Sequence, residues 1–191
     1  MSGSAHEFAP WRPDDAGRFI ESLSAHLVIQ GFNVVTGFGL GVGPSVIAGA
    51  LQEVLANPKR RSLNQLQAMP FPVDDGTTPA RRAMYRRHRE EMISKAGIAI
   101  FLFGNKRERG KIVAADGMRE ELAIVRSMGL HIVTAGATGW VAQEIAADFG
   151  ATLATRSKKF NKAFAVANDP TAKVAEMVKA ILTMVNEYRE L

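Results

Sequence analysis

A strand, a glycine-rich turn and a helix follow one another without a gap between Phe32 and Val54, in the stretch FNVVTGFGLGVGPSVIAGALQEV. Phe32-Asn33-Val34-Val35-Thr36 is a short β-branched run of the kind that forms a buried strand. Gly37, Gly39, Gly41 and Gly43 then alternate with Phe38, Leu40 and Val42, and Pro44 follows, a residue favoured in the first turn of a helix. From Ser45 onward Val46, Ile47, Ala50, Leu51 and Val54 recur at helical spacing. Glycines admit positive φ and carry no Cβ, and a helix N-terminus presents unpaired N–H groups and the positive end of its dipole. Such a unit suits a phosphate or pyrophosphate, with Phe38, Gly39, Leu40, Gly41, Val42 and Gly43 as the candidate cradle. The competing reading is that these glycines serve a tight turn and close helix–sheet packing. The pattern is neither the dinucleotide fingerprint in register nor a P-loop, so it supports neither hydride transfer nor ATP hydrolysis.

The rest of the chain alternates strands and helices. Pro13 to Gln30 reads as a helix with Asp14 and Asp15 in its first turn, Phe19, Leu23, Leu27 and Val28 inward, and Gly31 as its C-terminal cap. Leu66 to Phe71 reads as a short strand, and Asp74-Asp75-Gly76 as a turn. Thr78 caps a helix running to Ala96, along which Arg82, Arg86 and Arg89 share a face. Most such arginines lie in solvent; the helix phase does not say which one turns inward.

Gly97 to Phe103 is a continuous apolar run suited to the middle of a parallel sheet, and it ends in Gly104-Asn105-Lys106. Ligands in open α/β sheets bind beyond the carboxyl ends of strands, which makes Lys106 a candidate phosphate or ribose partner. Asp116 is placed to cap a helix from Gly117 to Met128, with Glu120 and Glu121 in its first turns. One glutamate suffices for the helix dipole, which leaves the other for a ligand hydroxyl or base edge. Leu130 to Thr134 is a further strand and Thr138 to Phe149 a helix closed by Gly150. A short element at 151–154 and a terminal helix from Pro170 to Glu190 complete the reading. The expected fold is α/β: a Rossmann-like, doubly wound, mainly parallel sheet with helices on both faces.

Composition removes several function classes. With 191 residues and 47% apolar content the chain is expected to form a single domain with a substantial core. It has no cysteine, which excludes disulfides and thiolate metal sites, and its four histidines show no ligand spacing. No apolar run reaches the ~18 residues of a membrane span, and no secretory signal is visible, so a cytoplasmic protein is expected. The net charge of +5 raises the question of nucleic acid. The basic clusters lack interleaved aromatics, however, and a small polyanion needs the same charges. At the start of the chain, Gly3-Ser4-Ala5 is expected to form a second phosphate-facing turn, the chain beginning inside or just after a strand as a domain cut from a longer polypeptide would.

Gly3-Ser4-Ala5, the GFGLGVG turn, FLFGNK at 101–106 and Asp116-Gly117-x-x-x-Glu121 occur in this order at spacings similar to those of the SLOG superfamily, and more narrowly its STALD branch. The resemblance covers nearly the whole chain. It implies a regulatory domain carried behind a sirtuin-like NAD hydrolase in the same polypeptide, in a homo-oligomer. Its ligand would be a cyclic ADP-ribose isomer made by a TIR-domain protein in anti-phage defence, with no cofactor and no metal. The implied ligand contacts are Arg89 to phosphate, Lys106 as a point charge and Glu121 to ribose or base. Backbone groups of Gly3, Ser4 and Ala5 and of the turn, with Gly104, Asn105 and Gly117 alongside, would complete the site.

The LOG phosphoribohydrolases of the same superfamily carry PGGxGTxxE, where this chain has AADGMREE. Gly117 and Glu121 remain, but the double glycine and the threonine are gone, which puts hydrolysis in doubt and leaves binding untouched. A LOG-like enzyme acting on nucleoside monophosphates is therefore the alternative. A DprA-like single-stranded DNA module is the weaker third.

Overall fold

The computed structural model describes residues 1–72, 78–150 and 152–190. The expected turn at Asp74-Asp75-Gly76 lies outside them. Strands β1 (Ser2–Ser4), β4 (Ile98–Phe103) and β7 (His131–Ala135) form a parallel sheet in the order β1-β4-β7. Strands β2 (Val34–Thr36) and β3 (Leu66–Ala68) form a second parallel pair. The Met1 amino group donates to the Val35 carbonyl at 2.6 Å, and the Ala5 N–H to the Leu40 carbonyl at 2.7 Å, which sets β2 alongside β1. The chain thus winds outward from β1 through β2 to β3, then returns to the other side of β1 to lay down β4 and β7. The reversal falls between β1 and β4, where open α/β sheets place their ligand crevice.

Helices cover both faces, as expected of a doubly wound sheet. On one side, α1 (Pro13–Ile29), α2 (Gly43–Ala56), α6 (Lys158–Ala167) and α7 (Val174–Arg189) pack with Ile100, Leu102, Val133 and Ala135. On the other, α3 (Pro79–Ile93), α4 (Asp116–Ser127) and α5 (Trp140–Gly150) pack with Phe101 and Ile132. The alternation of Ile100 and Leu102 with Phe101 is the two-residue period of a strand buried on both faces. Burial of side chains as large as Phe101 and Ile20 contributes roughly 1.5–3 kcal/mol each.

Several expectations need correction. Gly3 and Ser4 are strand residues paired with Leu102 and Phe103, so the turn after β1 begins only at Ala5. Asn105 and Lys106 do not sit in a loop. They open a hairpin, β5 (Asn105–Glu108) and β6 (Lys111–Ala114), closed by Arg109 and Gly110 at φ 49° and 80°. Two positive φ values are what a two-residue hairpin turn requires. Asp116 is the first residue of α4 rather than its cap, and Ala115 holds the cap position.

Helix α6 was not anticipated. Its lysines obscured the spacing of Phe160, Ala163, Phe164 and Ala167, all buried. The predicted strand at 66–71 stops at Ala68, and α7 begins at Val174 rather than Pro170. Residues 136–138 form a short 3-10 turn, so α5 begins at Trp140 and contains Gly150, and Leu153–Thr155 form another such turn.

Candidate functional site

The carboxyl end of β1 is held by a buried amide. Asn105 Oδ1 accepts from the His6 and Glu7 N–H groups at 2.8 and 3.2 Å, and its Nδ2 donates to the Glu7 carbonyl at 2.9 Å. Asn105 is fully buried, so its role here is to fix the loop after β1 against the exit of β4. The chain leaves β4 through Phe103 and Gly104, at φ 57° and 118°. A Cβ on Gly104 would lie 2.6 Å from that of Val141. The Phe103 ring swings to the α1 side, edge-on to Phe8 at 5.2 Å. Positive φ in a bulky residue costs energy and marks a place where backbone direction matters.

The glycine-rich turn packs on this end of β1. A Cβ on Gly39 would run into the Gly3 carbonyl, one on Gly41 into the Ala5 carbonyl, and one on Gly43 would come within 2.6 Å of the Phe38 backbone. The bare faces of Gly39, Gly41 and Gly43 therefore point at the protein's own backbone, as the competing reading of close packing has it. Gly43 N–H is also used internally, donating to the Gly39 carbonyl at 2.7 Å. By contrast, the N–H groups of Leu40, Gly41 and Val42 have no acceptor among the described residues, and the Phe38 and Leu40 side chains are exposed. Any cradle here would use these unpaired N–H groups rather than room left by missing side chains.

On the other side of the crevice, the first two turns of α4 gather the charged residues. Of the arginines on α3, Arg86 stays outside with Glu90 at 3.0 Å, and Arg89 turns inward. Its guanidinium donates to Glu120 Oε2 at 2.7 Å, stands 3.6 Å from Glu121 Oε1, and lies over the Phe71 ring at 4.8 Å. Gly117 is needed for that placement, because a Cβ there would lie 2.6 Å from an Arg89 terminal nitrogen. Glu121 accepts from the Ser2 hydroxyl at 2.5 Å. Lys106 reaches Asp116 at 2.7 Å, one residue before Gly117, and Glu108 at 3.8 Å.

Arg89, Lys106, Glu121 and Gly117 are thus brought to one helix terminus. Gly3 and Ser4 face neighbouring backbone instead: a Cβ on Gly3 would meet the Leu102 carbonyl at 2.6 Å, and the Ser4 hydroxyl donates to the Asn105 carbonyl at 3.1 Å.

A family model described as Sir2- and TIR-associating SLOG, or STALD, matches residues 1–188. The chain belongs to the STALD family. Among curated proteins it is similar to the NAD(+) hydrolase ThsA of Bacillus cereus (strain MSX-D12), 32% identical over 189 residues that make up 97% of this chain and 39% of the relative. The ThsA of Acinetobacter baumannii (strain 532279) is 34% identical over 191 residues, 95% of this chain and 40% of the relative. That of Cytobacillus dafuensis is 38% identical over 147 residues, 76% and 30% respectively. The chain therefore spans at most about 40% of the length of these relatives.

Within this candidate site, sequence reasoning missed Ser2, Asp116, Glu120 and Phe71 as partners of the three charged residues. Asp116 and Glu120 were visible as carboxylates near Gly117, but only as helix-terminus residues. Phe71 lies between two prolines and shows no periodicity that would mark it. Among the described residues no helix is long and apolar enough to cross a membrane.

The electrostatics separate the carboxylates. Burial pushes the Glu121 carboxyl above its ordinary 4.5, opposed by Ser2 and Arg89, whereas the hydrogen bond from Lys106 draws Asp116 below its ordinary 3.8. A raised pKa means that the folded protein holds the Glu121 proton more tightly than the unfolded chain. Glu121 therefore costs stability as pH rises from 4.5 through the raised value. Glu121→Gln is expected to melt no lower than wild type at neutral pH, with its advantage shrinking on acidification. Thermal denaturation of both proteins from acid to neutral pH checks this, and an advantage that grows in acid would overturn it.

Proposed function

We infer that this chain is a nucleotide-sensing domain whose ligand is a cyclic ADP-ribose-type signalling molecule. The observation that carries this reading is the convergence of Arg89, Lys106 and Glu121 on the start of α4, at the crevice between β1 and β4. An arginine fork and a lysine suit two phosphates, and an adjacent nearly buried carboxylate suits ribose hydroxyls or a base edge. The N–H groups of Leu40, Gly41 and Val42, which have no acceptor among the described residues, would supply further donors to the phosphates. No cofactor is required by this reading. The family description and the NAD(+) hydrolase relatives support a place in a longer polypeptide that carries an NAD hydrolase. Our reading adds that this hydrolase is sirtuin-like and precedes the domain, that the protein is a homo-oligomer, and that ligand binding switches the hydrolase on.

The test is calorimetric titration with cyclic ADP-ribose isomers, linear ADP-ribose and AMP, followed by chromatography of each mixture. One cyclic isomer is expected to bind tightly and be recovered intact.

A phosphoribohydrolase is the second reading, favoured by the approach of Arg89 to Glu121, the pair that would polarise a ribose. Release of adenine from AMP at an enzymatic rate would establish it in place of the sensor.

A further inference from the structure

Both cations of the site already have an anion. Arg89 donates to Glu120 at 2.7 Å, and Lys106 stands 2.7 Å from Asp116. Both carboxylates are more exposed than Glu121, although Asp116 Oδ1 also accepts from the Gly117 N–H at 3.0 Å. Glu121 has a side-chain exposure of 13% and is gripped by the Ser2 hydroxyl, whereas Glu120 is 39% exposed and Asp116 77%. Arg89 itself is only 12% exposed, and its Nε is buried with no hydrogen-bond partner among the described residues. The arrangement is therefore two buried or half-buried cations, each paired with a carboxylate more exposed than itself.

We propose that Asp116 and Glu120 are affinity- and specificity-determining residues that occupy the anion positions of Lys106 and Arg89, so that a ligand binds by exchanging both. The proposal rests on the nucleotide-sensing reading and adds to it the charge that the ligand must carry. Asp116 and Glu120 are four residues apart on α4, one helical turn, which sets their Cβ atoms roughly 5–6 Å apart on one face of the helix. A molecule with two linked phosphates can displace both carboxylates at once, and the second displacement is then intramolecular. A single phosphate displaces one and leaves the other pair in place. Such a site discriminates against monophosphates, which any cell holds in quantity, without a steric filter.

Arg119, between these residues, takes no part. It turns the other way and chelates Glu144 of α5 with contacts of 2.8–3.0 Å.

The experiment is calorimetry on the wild-type chain, Glu120→Gln, Asp116→Asn and the double variant, each titrated with cyclic ADP-ribose isomers, AMP and inorganic pyrophosphate. Melting temperatures establish that each variant is folded; should the double variant unfold, Glu120→Gln carries the test alone. Exposed pairs are weak and the Arg89 pair is the less exposed, so the expected gains are about fivefold for Glu120→Gln and about twofold for Asp116→Asn. The preference for cyclic ADP-ribose over AMP is expected to narrow in the double variant.

If a cyclic isomer binds wild type and the variants bind it no tighter, the exchange proposal is overturned and the sensing reading survives. If pyrophosphate binds the variants more tightly while no nucleotide binds any of the proteins, the exchange stands and the sensing reading falls. If nothing binds any of them, both fall.

Discussion

Arg89→Ala is expected to abolish measurable binding of cyclic ADP-ribose isomers, a loss of at least about a hundredfold, and to destabilise the fold by about 1–3 kcal/mol. The two effects have one origin. In the proposed site the guanidinium would face the ligand phosphates, and in the structure it pairs with Glu121 and covers the Phe71 ring. Its removal leaves a nearly buried carboxylate with the Ser2 hydroxyl as its remaining close partner. Arg89→Lys separates the roles: a point charge restores neutrality, and with it most of the stability, but not the bidentate fork. Calorimetry paired with denaturant unfolding reads both. An alanine variant that still binds would remove Arg89 from the site.

The largest stability loss is expected at Gly39→Ala, more than about 3 kcal/mol, enough to leave much of the protein unfolded. The added methyl would meet the Gly3 carbonyl, backbone in the centre of the sheet that no rotamer change can relieve. Gly150→Ala is the control. It lies in the last turn of α5 with no described residue within 4 Å of the new methyl, and helix propensity favours alanine by about 0.8–1 kcal/mol at most. Urea unfolding of the two variants and wild type distinguishes the cases. A folded, stable Gly39→Ala would mean that the turn does not rest on β1.

The same two positions show how far the sequence could be read. The strand–turn–helix unit was legible because each piece has its own local signal: β-branched residues, glycines, Pro44 and helical spacing. What those glycines face was not legible, since the Gly3 carbonyl opposite Gly39 belongs to another strand. The pairing of Arg89 with Glu120 and Glu121 was equally out of reach of periodicity, because three arginines on α3 share a face and only packing against α4 selects one. The resemblance pointed to Arg89 where helix phase could not. The β5–β6 hairpin escaped notice because Lys106, Arg107, Glu108 and Lys111 look like a solvated charge run, and only the positive φ values at Arg109 and Gly110 reveal the turn. Helix α6 is different in kind: Ser157 accepts from the Phe160 N–H as an N-terminal cap should, and the spacing was present in the sequence.

The pairing of Ser2 with Phe101 and of Ser4 with Phe103 has a kinetic consequence. The middle of the sheet joins segments separated in sequence by three helices and a parallel pair of strands, so closing it brings together ends that are half the chain apart. Long-range parallel pairing of this kind is slow, while α1, α2 and their neighbouring strands make contacts close in sequence. The crevice between β1 and β4 is accordingly expected to form late in folding. A molecule that recognises it has nothing to hold in the unfolded chain, and saturating ligand should translate in full into a higher melting temperature.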